Sequence, residues 1–132
     1  MSAYNQTRLE EFFNLIGLKE IRALAMALPE VEEGPPVPAA RRIAAFKVAG
    51  KSFIGVEKGG ATITVSLSER EARAITAERP DAYEEIWRNG KKFMGLRVDI
   101  SKVSSLGLND LIEKSWRQNA PKRIVDAYNK RV

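Results

Sequence analysis

The residues best suited to chemistry are cations and one aromatic in a single short segment. Residues 88–100 read RNGKKFMGLRVDI, and four of the first ten are Lys or Arg. Cations on a protruding hairpin suit phosphate contacts, and an aromatic on its outer face suits contact with a sugar or a base. The candidate nucleic-acid or anion contacts are therefore Arg88, Lys91, Lys92, Phe93 and Arg97. The alternative is a charged hairpin that only blocks edge pairing of a sheet.

A second pair of candidate contacts is Lys122 and Arg123, in the first turn of a helix that Ala120-Pro121 opens. The N-terminus of a helix carries partial positive charge, so two cations there are unfavourable unless an anion binds the free amides. The alternative is that Asp126, one turn further on, offsets Lys122 and that water screens the rest.

Two other patterns are weaker. Gly50-Lys51-Ser52 resembles the end of a phosphate-binding loop, but Ala45 stands where that motif needs a glycine, and a strand rather than a helix follows. Glu30, Glu32 and Glu33 are close enough for a hard-cation site or an acid–base pair. Carboxylates on an exposed, proline-rich loop are more often simply solvated. We therefore place no site on either pattern.

The residue types that the chain lacks exclude several kinds of catalytic and metal-binding site. The chain has no His and no Cys, which excludes imidazole catalysis, thiolate nucleophiles, disulfides and metal sites built on these residues. An enzyme would need carboxylates, Lys, Tyr or a borrowed cofactor, and no catalytic constellation can be placed. We therefore predict a non-enzymatic protein without a cofactor or metal. The 22 Lys and Arg against 17 Asp and Glu give a net charge of +5, which favours anionic partners.

Length and composition predict a single domain over residues 1–132. The chain is 44% hydrophobic and 30% charged, an ordinary globular composition. Charged residues interrupt every apolar run near the start, so we expect no signal peptide, no membrane association and a cytoplasmic location.

The elements that must position the candidate residues follow from periodicity. Thr7–Glu10 fits a capping box for a helix that Gly17 ends, and an apolar stripe from Ile21 to Leu28 predicts a second helix. Residues 29–38, PEVEEGPPVP, are predicted to form a surface loop, because the three later prolines exclude a central strand. Three strands should follow, in residues 44–48, 51–56 and 61–67.

The second half of the chain predicts a helix, a hairpin and two further helices. Ser68–Glu71 is another capping box, for a helix that ends near Arg79. Asn89-Gly90 is a strong hairpin signal that makes residues 83–88 the partner strand, with a short helix from Asp81 as the alternative. Helical spacing then gives one buried face with Leu108, Leu111, Ile112, Ser115 and Trp116, and another with Ile124, Val125 and Tyr128.

Strict alternation along the candidate segment assigns its two faces. We predict that Met94, Leu96, Val98 and Ile100 share the buried face. The outer face should then carry Lys91, Phe93, Gly95, Arg97 and Asp99. Trp87 and Trp116 are interpreted as core anchors rather than stacking platforms.

Five segments occur in order between about Glu20 and Tyr128: IRALAMALPEVEEG, FKVAGKSF, ITVSLSEREA, GLRVDI and SWRQNAPKRIVDAY. In that order and spacing the chain resembles the MmcQ/YjbR-like family of small bacterial proteins. The resemblance implies an α+β domain of α-β(3)-α-β(2)-α order, a helix-flanked antiparallel sheet of the kind compared with CyaY and secretion-chaperone folds. Residues 1–17 are then an additional N-terminal helix, and the hairpin at Asn89 is favoured over the short helix.

The resemblance also implies a function. Members are commonly labelled DNA-binding, because paired hairpins resemble a double wing, and no catalytic residues define the family. Many members carry a His and an aromatic in the second hairpin, where this chain has Phe93 and Met94, so no His-dependent role is carried over. Nothing functional is carried over to PPVPAARR, which is longer and richer in proline than the family's loop.

We therefore predict a non-enzymatic module that approaches DNA through the hairpin and the Lys122-Arg123 turn, mainly by phosphate contacts. The alternative is a module in which the same cations bind a small anionic molecule or an acidic protein.

Overall fold

The computed structural model describes residues 17–131, in which helices flank one antiparallel sheet of six strands. The strands are β1 (Val31–Gly34), β2 (Arg42–Val48), β3 (Lys51–Glu57), β4 (Thr62–Val65), β5 (Tyr83–Arg88) and β6 (Lys92–Asp99). The helices are α1, which covers residues 17–26 of the described chain, α2 (Glu69–Glu78), α3 (Ser105–Asn119) and α4 (Lys122–Asn129). The predicted α+β class is confirmed. The helix predicted from Thr7 lies outside the described residues, and Gly17, its predicted end, is helical.

The loop predicted over residues 29–38 is wrong in part, because Val31–Gly34 forms the edge strand β1 and pairs with β2. Val31 is buried opposite Val48, and the three later prolines follow only after the strand ends. Their missing amides therefore remove no ladder hydrogen bond. A strand of four residues is too short for its alternation to stand out in the sequence.

Strand order places both short hairpins at the same end of the sheet. The order is β1-β2-β3-β4-β6-β5, and all neighbours are antiparallel. The turn at Ala49-Gly50 and the turn at Asn89-Gly90 consequently point the same way. All four turn residues have positive φ, as the tight turns of hairpins require. We call the end of the sheet that carries these two turns the hairpin end. The pairing of β5 with β6 across Asn89-Gly90 confirms the predicted hairpin and not the short helix from Asp81.

A bulge interrupts the alternation of β6. Ile86 pairs with Gly95 and Trp87 pairs with Phe93, so Met94 is an extra residue on β6. Gly95 has a φ of 147°, and a Cβ there would lie 2.9 Å from the carbonyl oxygen of Val65. Only glycine suits this position without strain.

The bulge corrects the predicted faces of the strand. Leu96 and Val98 are buried in the core and Arg97 lies on the opposite face, as predicted. Met94, predicted to be buried, is 42% exposed. Phe93, predicted to lie on the outer face, packs against the core with its ring 5.4 Å from that of Trp87.

Helix α3 covers the core side of the sheet with the face that the sequence predicts. Its buried residues are Leu108, Leu111, Ile112, Ser115 and Trp116. The Ser115 hydroxyl donates to the carbonyl oxygen of Ser66 at 2.7 Å, which satisfies the one polar side chain on this face. Trp116 is a core anchor as predicted, whereas Trp87 is only partly buried near the sheet edge.

A bidentate ion pair between Arg22 and Glu33 joins α1 to β1, with distances of 2.6 and 3.0 Å. Hydrogen bonds from Arg22 hold the pKa of the Glu33 carboxyl below its usual range. Because the pKa is lower in the folded state, this pair stabilises the fold above the unfolded-state pKa. Its contribution is lost as the pH falls through the folded-state pKa.

Arg22→Gln is therefore expected to return the Glu33 pKa towards its ordinary value and to move the onset of acid unfolding to higher pH. Carboxyl-detected NMR titration measures the first effect and circular dichroism against pH measures the second. Arg73→Gln, which removes a cation from an exposed pair elsewhere, is the matched control and should leave Glu33 unchanged. A Glu33 pKa that is the same with and without Arg22 would contradict the assignment.

Candidate nucleic-acid interface

The turn between β5 and β6 presents three of the predicted contacts to solvent. Arg88, Lys91 and Lys92 are exposed around Asn89-Gly90. Within residues 17–131, none of the three forms an ion pair with a carboxylate. Their charges are therefore available to an external anion.

A second cationic turn lies at the same end of the sheet. Lys51 follows the Ala49-Gly50 turn, is exposed and has no ion pair to a carboxylate in the described chain. From the strand order, the two hairpins are three strand spacings apart, or about 14 Å. The sequence interpretation considered Lys51 only as part of a phosphate-loop pattern. Only the strand order shows that Lys51 lies at the same end as the second hairpin, and the local periodicity of the sequence does not reveal the strand order.

Lys122 and Arg123 also lie towards the hairpin end, but near the opposite edge of the sheet. Arg123 is 3.6 Å from Glu30, which directly precedes β1. Lys122 is 3.6 Å from Asp126, so the predicted offset one turn along the helix is confirmed. From the Lys122-Arg123 turn to the β5–β6 hairpin, the distance is nearly the whole width of the sheet, roughly 20 Å. The two predicted cationic sites therefore do not form one compact cluster.

Arg97 lies apart from the hairpin end, on the sheet face opposite the core. Its guanidinium contacts Glu57 at 2.9 Å and Glu84 at 2.5 Å. The hydrogen bond to Glu57, with the charges of both carboxylates, raises the pKa of Arg97. Arg97 is consequently an internal bridge across the sheet, with its charge balanced by two acids.

Phe93, predicted to lie on the outer face of β6, packs against the core instead. Its ring is edge-on to Trp87 and partly buried against the core. Of the seven predicted residues, the β5–β6 turn brings together Arg88, Lys91 and Lys92.

Two of the three carboxylates at the start of residues 29–38 are held in ion pairs, Glu33 of β1 with Arg22 and Glu30 with Arg123. The sequence analysis expected simply solvated carboxylates, whereas these two are ion-paired. Among residues 17–131, no helix has the length and apolar character needed to cross a membrane.

The helix-flanked antiparallel sheet with two hairpins at one end defines an α+β protein with exposed cations at that end of the sheet. The family model described as YjbR matches residues 26–118, and the chain belongs to the YjbR family. The resemblance noted from the five segments is thereby confirmed. No curated protein and no solved structure shows significant similarity to the chain.

Proposed function

We propose that the protein is a non-enzymatic module that binds duplex DNA through the hairpin end of its sheet. The observation that carries the proposal is that two hairpin turns at one end present unpaired cations. These cations are Lys51, Arg88, Lys91 and Lys92. Because these side chains are exposed and have no carboxylate partner, no ion pair within the protein has to break when they bind phosphates.

The spacing of the hairpins supports this proposal. The two turns are separated by about 14 Å, which is comparable to the ~12 Å width of the major groove of B-DNA. The two hairpins can thus meet phosphates on either side of one groove. Phosphate contacts carry no sequence information directly. Binding should accordingly depend little on DNA sequence.

Salt dependence gives the quantitative prediction. Four phosphate contacts give a slope of about −3.6 for the logarithm of affinity against that of salt concentration, or roughly a 100-fold loss between about 50 and 200 mM salt. Lys91→Gln/Lys92→Gln should halve the slope, so that the same change in salt reduces affinity only about tenfold. Fluorescence anisotropy with a labelled duplex measures both values.

The matched control is Arg41→Gln/Lys58→Gln, which also removes two exposed cations but at the opposite end of the sheet. This control should keep the wild-type slope. Equal losses in both double variants would show that binding follows net charge and not the hairpin end. Absence of duplex binding at low salt would overturn the proposal, and capture of an acidic peptide by the same cations would then favour the alternative.

A further inference from the structure

The sheet face opposite the core carries a groove of about 560 Å³. Along β4 and β6, the residues that alternate with the buried ones point to this face, among them Thr64 and Arg97. Residues of β2, β3, β4, β5 and β6 line the groove, so it crosses most of the sheet. Its volume falls within the range of pockets that bind small molecules.

Gly55 forms part of the groove floor and gives Arg42 room to lie across it. A Cβ at Gly55 would come within 2.8 Å of the Arg42 Nε and within 2.8 Å of the Thr64 Oγ1. A guanidinium and a hydroxyl are therefore held side by side over a position without a side chain. Both groups can donate hydrogen bonds to an anionic oxygen.

One end of the groove is positively charged. Arg41, Arg42 and Lys58 come together where β2 begins and β3 ends, and the Lys58 amide donates to the Arg41 carbonyl oxygen at 2.8 Å. None of these three side chains is ion-paired with a carboxylate of residues 17–131. The groove's own acid, Glu57, is already bound to Arg97.

The backbone at this end is also unusual. Arg41 has a φ of 57°, in the left-handed region that non-glycine residues seldom occupy. Arg41 ends the short 3-10 turn Pro38–Ala40, and its amide donates to the carbonyl oxygen of Pro38 at 2.9 Å. The turn thereby fixes the backbone of Arg41 at the cationic end of the groove.

The other end of the groove carries apolar side chains. Ile86 and Met94 line it, and Met94 is 42% exposed there because of the bulge at Gly95. Bulges often redirect a side chain towards a binding site, and the flexible thioether of methionine adapts to differently shaped apolar ligands. The bulge therefore removes an apolar side chain from the core and places it in the groove.

From this arrangement we propose that the groove binds a small organic anion. Its phosphate or carboxylate binds the Arg42 guanidinium and the Thr64 hydroxyl, Arg41 and Lys58 add positive charge at that end, and its apolar body extends towards Ile86 and Met94. This site is independent of the proposed DNA contacts, because its cations lie at the end of the sheet opposite the hairpin turns.

NMR titration of the ¹⁵N-labelled protein tests the site with phenyl phosphate and benzoate as probes. Either probe should shift the amide signals of Gly55 and Thr64 and leave that of Gly90 unchanged. Inorganic phosphate and phenol, which each carry one half of the phenyl phosphate probe, should bind at least roughly tenfold more weakly than phenyl phosphate. Failure of both probes to shift the groove amides, or equal binding of inorganic phosphate, would overturn the proposal.

Variants separate the two ends of the groove. Arg42→Gln should weaken phenyl phosphate binding by roughly tenfold, since a charged hydrogen bond is lost. Lys58→Gln repeats the test at an exposed position outside the core. Met94→Ser should weaken phenyl phosphate but not inorganic phosphate. Lys91→Gln/Lys92→Gln is the matched charge control, and an equal loss in that variant would show that the probe senses net charge alone.

Discussion

Leu96→Asp is expected to unfold the domain. Leu96 is fully buried at the centre of the core, on a strand that has neighbours on both sides. The substitution removes a large apolar side chain and puts a carboxylate in its place without a cationic partner. The two effects together should cost more than about 5 kcal/mol, against a total stability of about 5–15 kcal/mol for a domain of this kind. Far-UV circular dichroism during heating measures the loss.

The next residue supplies the control, because it lies on the opposite face. Arg97 is 38% exposed, and its ion pairs with Glu57 and Glu84 are partly solvated. Arg97→Ala should therefore cost only about 1 kcal/mol and lower the melting temperature by a few degrees. Similar melting of the two variants would show that the faces of β6 are reversed.

Met94→Asp tests the bulge itself. Regular alternation would bury Met94 beside Leu96, whereas the bulge places it in the groove, half exposed. The folded state should therefore tolerate an aspartate at this position with a loss of about 1 kcal/mol or less. Unfolding as severe as that of Leu96→Asp would contradict the register around Gly95.

Elements with a strong local signal were predictable from the sequence. Asn89-Gly90 specifies a tight turn because both positions need positive φ. The buried face of α3 follows from apolar residues at helical spacing, and even Ser115 lies on it as predicted. In both cases, the information is contained within a few neighbouring residues.

The bulge and the edge strand lacked such a signal. Met94 is apolar, so it suits the buried face that strict alternation gives it, and Gly95 is acceptable in either register. The tertiary contact between Gly95 and the Val65 backbone leaves no room for a Cβ, and Val65 lies 30 positions earlier in the sequence. Strand β1 consists of only four residues and is followed by prolines, which suggested a loop.

The candidate sites were predictable only where the contributing residues are neighbours in sequence. Arg88, Lys91 and Lys92 surround one turn, so their proximity could be predicted without knowledge of the fold. Arg97 and Glu57 are 40 positions apart, and the strand order brings them together. The same strand order brings Lys51 to the hairpin end, and the bulge at Gly95 places Met94 in the groove. Charge counts along the chain therefore located cations but did not show which of them are neutralised.

Trp116→Ala is the second substitution with a large expected effect. Trp116 is fully buried, and its ring meets that of Tyr128 of α4 edge-on at 5.1 Å. Its indole nitrogen donates to the carbonyl oxygen of Pro29 at 3.1 Å, just before β1. This one side chain thus joins α3 to α4 and to the edge of the sheet. Truncation should cost about 3–5 kcal/mol, because the cavity it leaves can collapse only in part.

Two further variants separate packing from hydrogen bonding and give the measurement. Trp116→Phe keeps an aromatic ring but leaves the Pro29 carbonyl without its donor, so about 1–3 kcal/mol should be lost. Trp87→Phe changes the other of the two tryptophans, which is partly buried near the edge, and should cost less than Trp116→Phe. Each variant keeps one of the two tryptophans, and the fluorescence of that tryptophan measures the unfolding of the variant in urea. If Trp116→Ala unfolds at the same urea concentration as Trp87→Phe, Trp116 does not join the two helices to the sheet as the contacts indicate.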